Sequence, residues 1–285
     1  MLRIAVPNKG ALAEPAAEML HEAGYRRRSN QKELVLVDDD NAVEFFFLRP
    51  RDIAVYVGSG TVDIGITGED MLLDSRTPAD ILLELGFARS TFRYAAPAGA
   101  ERTIDSLAGL RIATSYENLV EDHLGSRGLS ATVVHLDGAV ESAIRLGVAD
   151  VIADVVETGS TLREAGLVTF GDPIMTSQAV LFTRPGVELA SPERHTLDVL
   201  IRRVRGVLVA REYVMIEYDI PRELLDRAVE VTPGFQSPTI SELHGGTWSA
   251  VRSMVTRGQM NRVMDDMYEV GARAILVTAI QACRM

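Results

Sequence analysis

Gly147-Val-Ala-Asp150-Val-Ile-Ala-Asp154-Val-Val-Glu157-Thr158-Gly159-Ser160-Thr161-Leu162 is the stretch from which the rest of the chain can be read. Val151, Ile152, Ala153, Val155 and Val156 form an apolar run broken only by Asp154, the pattern of a buried strand bounded by a polar turn. Thr158 to Thr161 supply the turn, and Leu162 to Ala165 begin a helix. Such a junction has two readings. Free N–H groups at the helix start, with Gly159 allowing close backbone approach, make a seat for a phosphate. Asp154 then accepts hydrogen bonds from sugar hydroxyls or helps hold a metal. Alternatively, the hydroxyl side chains simply cap an ordinary strand–turn–helix connection.

Outward from this stretch the same unit recurs. Leu2 to Val6 is a short strand, Pro7-Asn8-Lys9-Gly10 a turn, and Ala11 to Ala23 a helix with one apolar face. Val43 to Leu48 is the next strand, and Arg49-Pro50-Arg51-Asp52 enters a helix through Pro50, a residue suited to a first helical turn. Val62 to Thr67 is a further buried strand, running into Gly68-Glu69-Asp70 and a helix. Strands alternating with helices predict a mostly parallel sheet. Leu110-Arg111-Ile112-Ala113 echoes Leu2-Arg3-Ile4-Ala5, and Gly147 to Asp154 echoes Gly60 to Thr67. The echoes predict two similar α/β lobes, the second inserted between about residues 90 and 180, unless such short apolar strings recur by chance. Ligands of open α/β sheets bind beyond the carboxyl ends of the strands. The turns at Lys9, Gly68, Tyr116 and Thr158 would then converge on one cleft.

The character changes after a returning strand at Leu181 to Thr183 and a helix from Glu193 to Leu208. Tyr213 to Asp219, Pro221 to Val229, Pro238 to Leu243, Trp248 to Val255, the stripe Met260, Val263, Met264, Met267 and Val270, and Arg273 to Cys283 read in the order βαββαβ. That is the ferredoxin-like split βαβ, a third domain with no obvious nucleophile or general base. The methionines read as core packing.

Composition narrows the partners. A net charge of −11 disfavours nucleic acid and anionic membrane surfaces, though a local pocket with Mg²⁺ can still take a small phosphorylated substrate. No apolar run approaches membrane length, no signal peptide opens the chain, and Cys283 stands alone, which together predict a reducing cytoplasm. The five histidines are scattered, without zinc spacing. Lys9 and Lys32 are the only lysines, which marks Lys9, in a loop after a strand, as a position that needs a compact ammonium.

These motifs in this order resemble the ATP phosphoribosyltransferase family. The resemblance rests on Asp150 to Leu162 preceded by Glu141 and Gly147, on Val6-Pro7-Asn8-Lys9-Gly10, on Arg49-Pro50-Arg51-Asp52-Ile53 leading to Gly58, and on Asp63-Ile-Gly-Ile-Thr67-Gly68. Thr232-Pro233-Gly234 and Ser237-Pro238-Thr239 are similar to the C-terminal domain of the long, histidine-regulated form. The resemblance implies a two-lobed fold like that of periplasmic binding proteins, with lobe I at residues 1–90 and 180–210, lobe II at 91–179, and a regulatory domain at 211–285. It implies Mg²⁺-dependent displacement of pyrophosphate from phosphoribosyl pyrophosphate by N1 of ATP, and dimers that assemble into hexamers. Asp154 would hold the ribose hydroxyls, Glu157, Thr158, Gly159, Ser160 and Thr161 the 5-phosphate, and Lys9 and Arg49 would offset phosphate charge. Glu141 would support the site, and Mg²⁺ would ride mainly on substrate with Glu141 and Asp154 nearby.

Two other readings compete: a two-lobed binding protein with a sensing domain, and a catalytically dead regulatory subunit. Joint retention of Lys9, Arg49, Asp154 and the Thr158-to-Thr161 turn favours the enzyme. In the C-terminal domain, Asp219 would meet an ammonium or imidazole, and Ser237 and Thr239 a carboxylate or ring nitrogen of L-histidine. The plainer alternative makes Asp219 a helix cap and Ser237 part of a turn.

Overall fold

Apolar strings too short for helices, separated by Gly, Pro and Asp, become strands throughout the chain. The computed structural model describes residues 1–30 and 32–284. It contains two compact units, Met1–Glu18 with Arg26–Leu197 and Met19–Tyr25 with Asp198–Met285. The first unit opens with β1 (Leu2–Pro7), α1 (Ala13–Glu22, continuing into the second unit), β2 (Val35–Asp38), β3 (Val43–Leu48), α2 (Pro50–Gly58), β4 (Ile64–Gly68), α3 (Glu69–Asp74) and β5 (Asp80–Glu84). The chain then crosses to a second sheet through β6 (Ser90–Pro97), β7 (Arg111–Thr114), α4 (Glu117–Ser126), β8 (Thr132–His135), α5 (Ser142–Arg145), β9 (Val151–Val156), α6 (Ser160–Glu164) and β10 (Leu167–Ser177). It returns as β11 (Ala179–Thr183) and leaves through α7 (Ser191–Glu212).

The sheet orders are β2-β3-β1-β4-β11-β5 and β10-β6-β9-β7-β8. The two-lobed α/β architecture is therefore present, but the sheets are mixed where the alternation predicts mostly parallel ones. Among the described residues, only β1 with β3 and β4, and β7 with β8 and β9, are parallel; the flanking pairs are antiparallel. The reason lies in the crossings. β6 and β11, the first strands after each passage between sheets, pair antiparallel to the strands they join. The two passages bond to each other, Leu85 N–H to the Ala179 carbonyl at 2.9 Å and Ala179 N–H to the Phe87 carbonyl at 3.0 Å.

The internal echo has a physical basis. Arg3 N–H donates to Asp63 Oδ2 at 2.9 Å, and Asp63 N–H donates back to the Arg3 carbonyl at 3.0 Å. Arg111 and Asp150 repeat this at 3.0 and 2.9 Å. Each exchange sits at the entry of a parallel pair, with Ile4 opposite Ile64 in one lobe and Ile112 opposite Val151 in the other. Behind it pack Ile53, Val57, Val180 and Phe182 in lobe I, and Phe92, Tyr94, Ile112 and Val151 in lobe II, all fully buried.

The second unit contains β12 (Tyr213–Pro221), α8 (Leu225–Val231), β13 (Thr239–Glu242), β14 (Trp248–Thr256), α9 (Met260–Val270) and β15 (Arg273–Ala279). Its antiparallel sheet runs β13-β14-β12-β15, so strands joined through a helix lie parallel with another between them, as the split βαβ requires. Strict alternation along β12 buries Val214, Ile216, Tyr218 and Ile220 against the helices, where Met260, Met264 and Met267 join the core. Met215, Glu217 and Asp219 face the opposite side.

Asp63 is 7% exposed, so removing its carboxylate strands a donor inside the lobe. Asp63→Ala is expected to lower unfolding free energy by about 1–3 kcal/mol. Denaturant titration should show a reduced midpoint with an unchanged slope; an unshifted midpoint would mean that the exchange does not hold the strand pair.

Candidate active site

Parallel strands deliver their carboxyl ends to one edge of each sheet. In lobe I, β1 runs into Asn8 and Lys9, β3 into Arg49, and β4 into Glu69 and Asp70; Pro7 stands opposite Leu48, so the first two turns are adjacent. In lobe II, β7 leads to Ser115 and Tyr116, and β9 to Glu157. The two edges meet at Arg51. Its Nη1 lies 3.2 Å from Asp74 Oδ2 and its Nη2 lies 3.1 Å from Ser115 Oγ. The guanidinium also stands 4.3 Å above the Tyr116 ring, a cation–π contact that only a planar cation makes well.

Below this cation the carboxylates collect. The Tyr116 hydroxyl donates to buried Asp70, and Ser177 grips the same carboxylate with an O–H bond of 2.8 Å while accepting the Asp70 N–H at 3.1 Å. Burial raises the proton affinity of the Tyr116 phenol, and the Asp70 charge adds to it. Asp154 is partly buried in β9, and desolvation lifts its pKa to about 6. The Val155 N–H at 2.8 Å and Arg51 oppose that rise; Glu141 and Asp70 reinforce it. Glu69 is also raised, by burial first and then by Glu84 and Asp70. A cleft of about 390 Å³ opens at the crossings, lined among others by Glu69, Ser90, Thr91, Glu157 and Ser177.

The charge of Glu141 is felt at Asp154, and Glu157 lines the crossing cleft. The Gly68 and Tyr116 turns meet through the hydrogen bond from Tyr116 to Asp70. Lys9 and Arg49 are exposed at the lobe I edge, and among the described residues neither side chain has a hydrogen-bond or ion-pair partner. The turn at Thr158 to Thr161 is closed on itself: Thr158 Oγ1 lies 3.1 Å from Ser160 Oγ, Arg163 holds the Thr158 carbonyl at 3.0 Å, and Gly159 adopts φ +69°. Thr161 is exposed. Sequence reasoning passed over Arg51, Asp70, Asp74 and Ser177. Arg51 stood beside Arg49 in the same motif, but its task depends on a lobe 64 residues away in the chain.

In the second unit, Asp219 and Thr239 line a hollow of about 390 Å³ on the helix-free face of the sheet, with Glu217, Ser241 and Arg252. Ser237 instead lines a neighbouring groove of about 520 Å³ with Phe235, Met215 and Met254, and Thr239 belongs to both.

The family model for ATP phosphoribosyltransferase matches residues 49–206, and the model for that family's C-terminal domain matches residues 210–282. The chain is 59% identical over 286 residues to the ATP phosphoribosyltransferase of Arthrobacter sp. (strain FB24) and 63% over 285 residues to that of Kocuria rhizophila, each match spanning 100% of both chains. Among solved structures it is similar to the ATP phosphoribosyl transferase (HisG:HisZ) complex from Thermotoga maritima, with TM-score 0.62 and 29% identity over 72% of this chain and 99% of that one.

Asp154 sets a pH dependence. Its folded pKa of about 6 lies above the ordinary 3.8, so the native state holds the proton more tightly than the unfolded chain. The stability this confers is complete below the ordinary value and is lost as pH rises through about 6. Asp154→Asn abolishes that loss and should be more stable than the parent at pH 7.5, by up to about 3 kcal/mol, but not at pH 4. Denaturant titrations of the ligand-free protein at the two pH values check this, and an equal difference at both would refute it.

Proposed function

The chain belongs to the ATP phosphoribosyltransferase family, which carries out the first step of histidine biosynthesis, and from that premise we propose how its residues divide the work. The reaction joins N1 of the adenine of ATP to C1 of the ribose in phosphoribosyl pyrophosphate. The C1–O bond to pyrophosphate breaks as the new bond forms, and its electron pair departs with pyrophosphate. Adenine N1 is already a nucleophile, so the protein's tasks are to align two polyanions and to stabilise separating charge.

The single observation that carries this reading is Asp154. It is kept among Glu141 and Asp70 in a partly desolvated strand, an arrangement that costs folding energy and makes sense where a cationic or hydroxyl-bearing partner arrives. Its carboxylate would accept the ribose hydroxyls and face the positive charge that develops on the sugar. Glu157 to Thr161 would take the 5-phosphate, while Lys9 and Arg49, exposed and unpaired among the described residues, would meet the remaining phosphates.

Among the described residues no group of three or more His, Cys, Asp or Glu side chains is placed to hold a metal ion. Glu141 and Asp154, which interact by charge, would supply one or two carboxylates to Mg²⁺, an ion that keeps waters and binds mainly through substrate phosphates. Bound there, the cation would neutralise charge on the leaving pyrophosphate. Histidine inhibition would arise in the second unit, where Asp219 and Thr239 share a hollow; exposed Ile240 and Leu276 on that sheet favour its burial in a dimer or hexamer.

Purified chain given ATP, Mg²⁺ and phosphoribosyl pyrophosphate, with pyrophosphatase present, should form the adduct; a folded preparation without turnover would overturn the assignment. Asp154→Asn should lose at least about 10- to 100-fold in kcat/KM, from a charge-assisted bond worth about 1.5–3 kcal/mol. Greater stability with lower activity separates a functional carboxylate from a structural one. Thr161→Val should chiefly raise KM for phosphoribosyl pyrophosphate. For the second unit, Asp219→Ala should weaken histidine inhibition without altering the uninhibited rate, since inhibition requires only that histidine prefer the less active state. An unchanged inhibition curve would move the effector site away from Asp219.

A further inference from the structure

Helix α4 in lobe II lacks a cap of its own: Tyr116 occupies the N-cap position and offers no side-chain acceptor to the first turn. The acceptor comes from the other lobe. Asp74, at the end of α3 in lobe I, takes the Leu119 N–H on Oδ1 at 3.1 Å, and its backbone carbonyl takes Asn118 Nδ2 at 2.7 Å. Its second carboxylate oxygen holds Arg51 at 3.2 Å. One helical turn earlier, Asp70 receives the Tyr116 hydroxyl. Both carboxylates are buried, 4% and 8% exposed, and Gly68 is fitted to Asp70, because a Cβ there would lie 2.3 Å from Asp70 Oδ1.

Other bridges between α3 and α4 are of a different kind. Arg76 reaches Asp122 at 2.6 Å and Glu121 at 3.3 Å, but all three side chains are about half exposed and screened by water. The contacts shielded from solvent are those through Asp74 and Asp70, and the one through Asp74 caps the helix. It bonds directionally to a helix N-terminus, to a guanidinium and to an amide, so the three cannot shift independently.

We infer that Asp74 is a positioning residue for phosphoribosyl transfer: as lobe I's cap on the lobe II helix, it fixes the turn carrying Ser115 and Tyr116 and thereby sets Arg51 over the carboxylate group that includes Asp154. The inference rests on the proposed reaction. Asp74 need not touch substrate. Misplacement of about 1 Å at a reacting centre can cost about 100-fold in rate, so loosening this joint should appear in turnover rather than in substrate affinity.

The test compares kcat and both KM values of the wild type, Asp74→Ala, Asp74→Asn and Arg76→Ala in the adduct-forming assay. Wild-type turnover validates the reaction separately; its absence would sink the proposed function and this inference with it. Given an active wild type, Asp74→Ala should lose about 10- to 100-fold in kcat with KM values within about twofold. Asp74→Asn still presents an acceptor to Leu119 but turns an amide N–H toward Arg51, so it should recover the capping part of the loss and stand clearly between the Ala variant and the wild type. Arg76→Ala should match the wild type. Near-wild-type kcat in Asp74→Ala overturns the assignment, as does an Asn variant as slow as the Ala variant. If Asp74→Ala does not fold, Asn118→Ala replaces it, losing only the amide bond to the Asp74 carbonyl. An expected loss of about three- to tenfold in kcat supports the joint, and wild-type turnover refutes it.

Discussion

The exchanges between Arg3 and Asp63 and between Arg111 and Asp150 set the constraint under which the catalytic unit is built. A parallel pair receives no help from a tight turn, because its strands are far apart in the chain and meet only through a crossover. Here a carboxylate just ahead of the second strand caps the edge N–H of the first, and a reciprocal backbone bond fixes the register. Once Ile4 stands opposite Ile64 and Ile112 opposite Val151, every side chain of β4 and β9 is assigned to a face. That assignment brings Asp154 to the site and sends Ala153 and Val151 to the core.

Electrostatics then follow from where the parallel strands end. The chain carries a net charge of −11 and binds polyanions, so the site cannot rely on an overall positive field. Instead Arg51 is anchored by Asp74, Ser115 and the Tyr116 ring, while Lys9 and Arg49 stay exposed at neighbouring strand ends. The anchored cation organises protein groups; the exposed ones face solvent. Burial first, then the charges of Glu141 and Asp70, raise the energy of the Asp154 carboxylate.

The second unit obeys a simpler rule. Alternation along β12 and β14 gives one face to the helices and leaves the other without them. The helix face is closed by Tyr218, whose hydroxyl bonds Thr232 at 2.7 Å, and by the methionines of α9. The other face mixes Glu217, Asp219, Arg252 and Thr239 with exposed Leu276, so it carries both charge signs beside apolar surface.

Sequence by itself determined the motif-bearing strands and helices, the paired lobes and the split βαβ, because these depend on local periodicity and on short motifs that bury or turn the chain. The strand at Val43–Leu48, the helix opened by Pro50 and the apolar run at Val151–Val156 are legible for that reason. β10 is not: Gly171, Asp172 and Pro173 sit inside it, and the register shift between Phe170 and Met175 that absorbs them is imposed by pairing with β6. Motif resemblance singled out Asp154, Glu141 and the Glu157–Thr161 turn, since each lies within one strand end or turn. Only the tertiary structure decided that Asp70 and Asp74 serve the opposite lobe, that Ser177 holds Asp70 across 107 residues of chain, and that Arg51 rather than its neighbour Arg49 bridges the lobes. Those roles are set by pairings between distant strand ends, and the energy of a buried carboxylate depends on partners that no local pattern encodes.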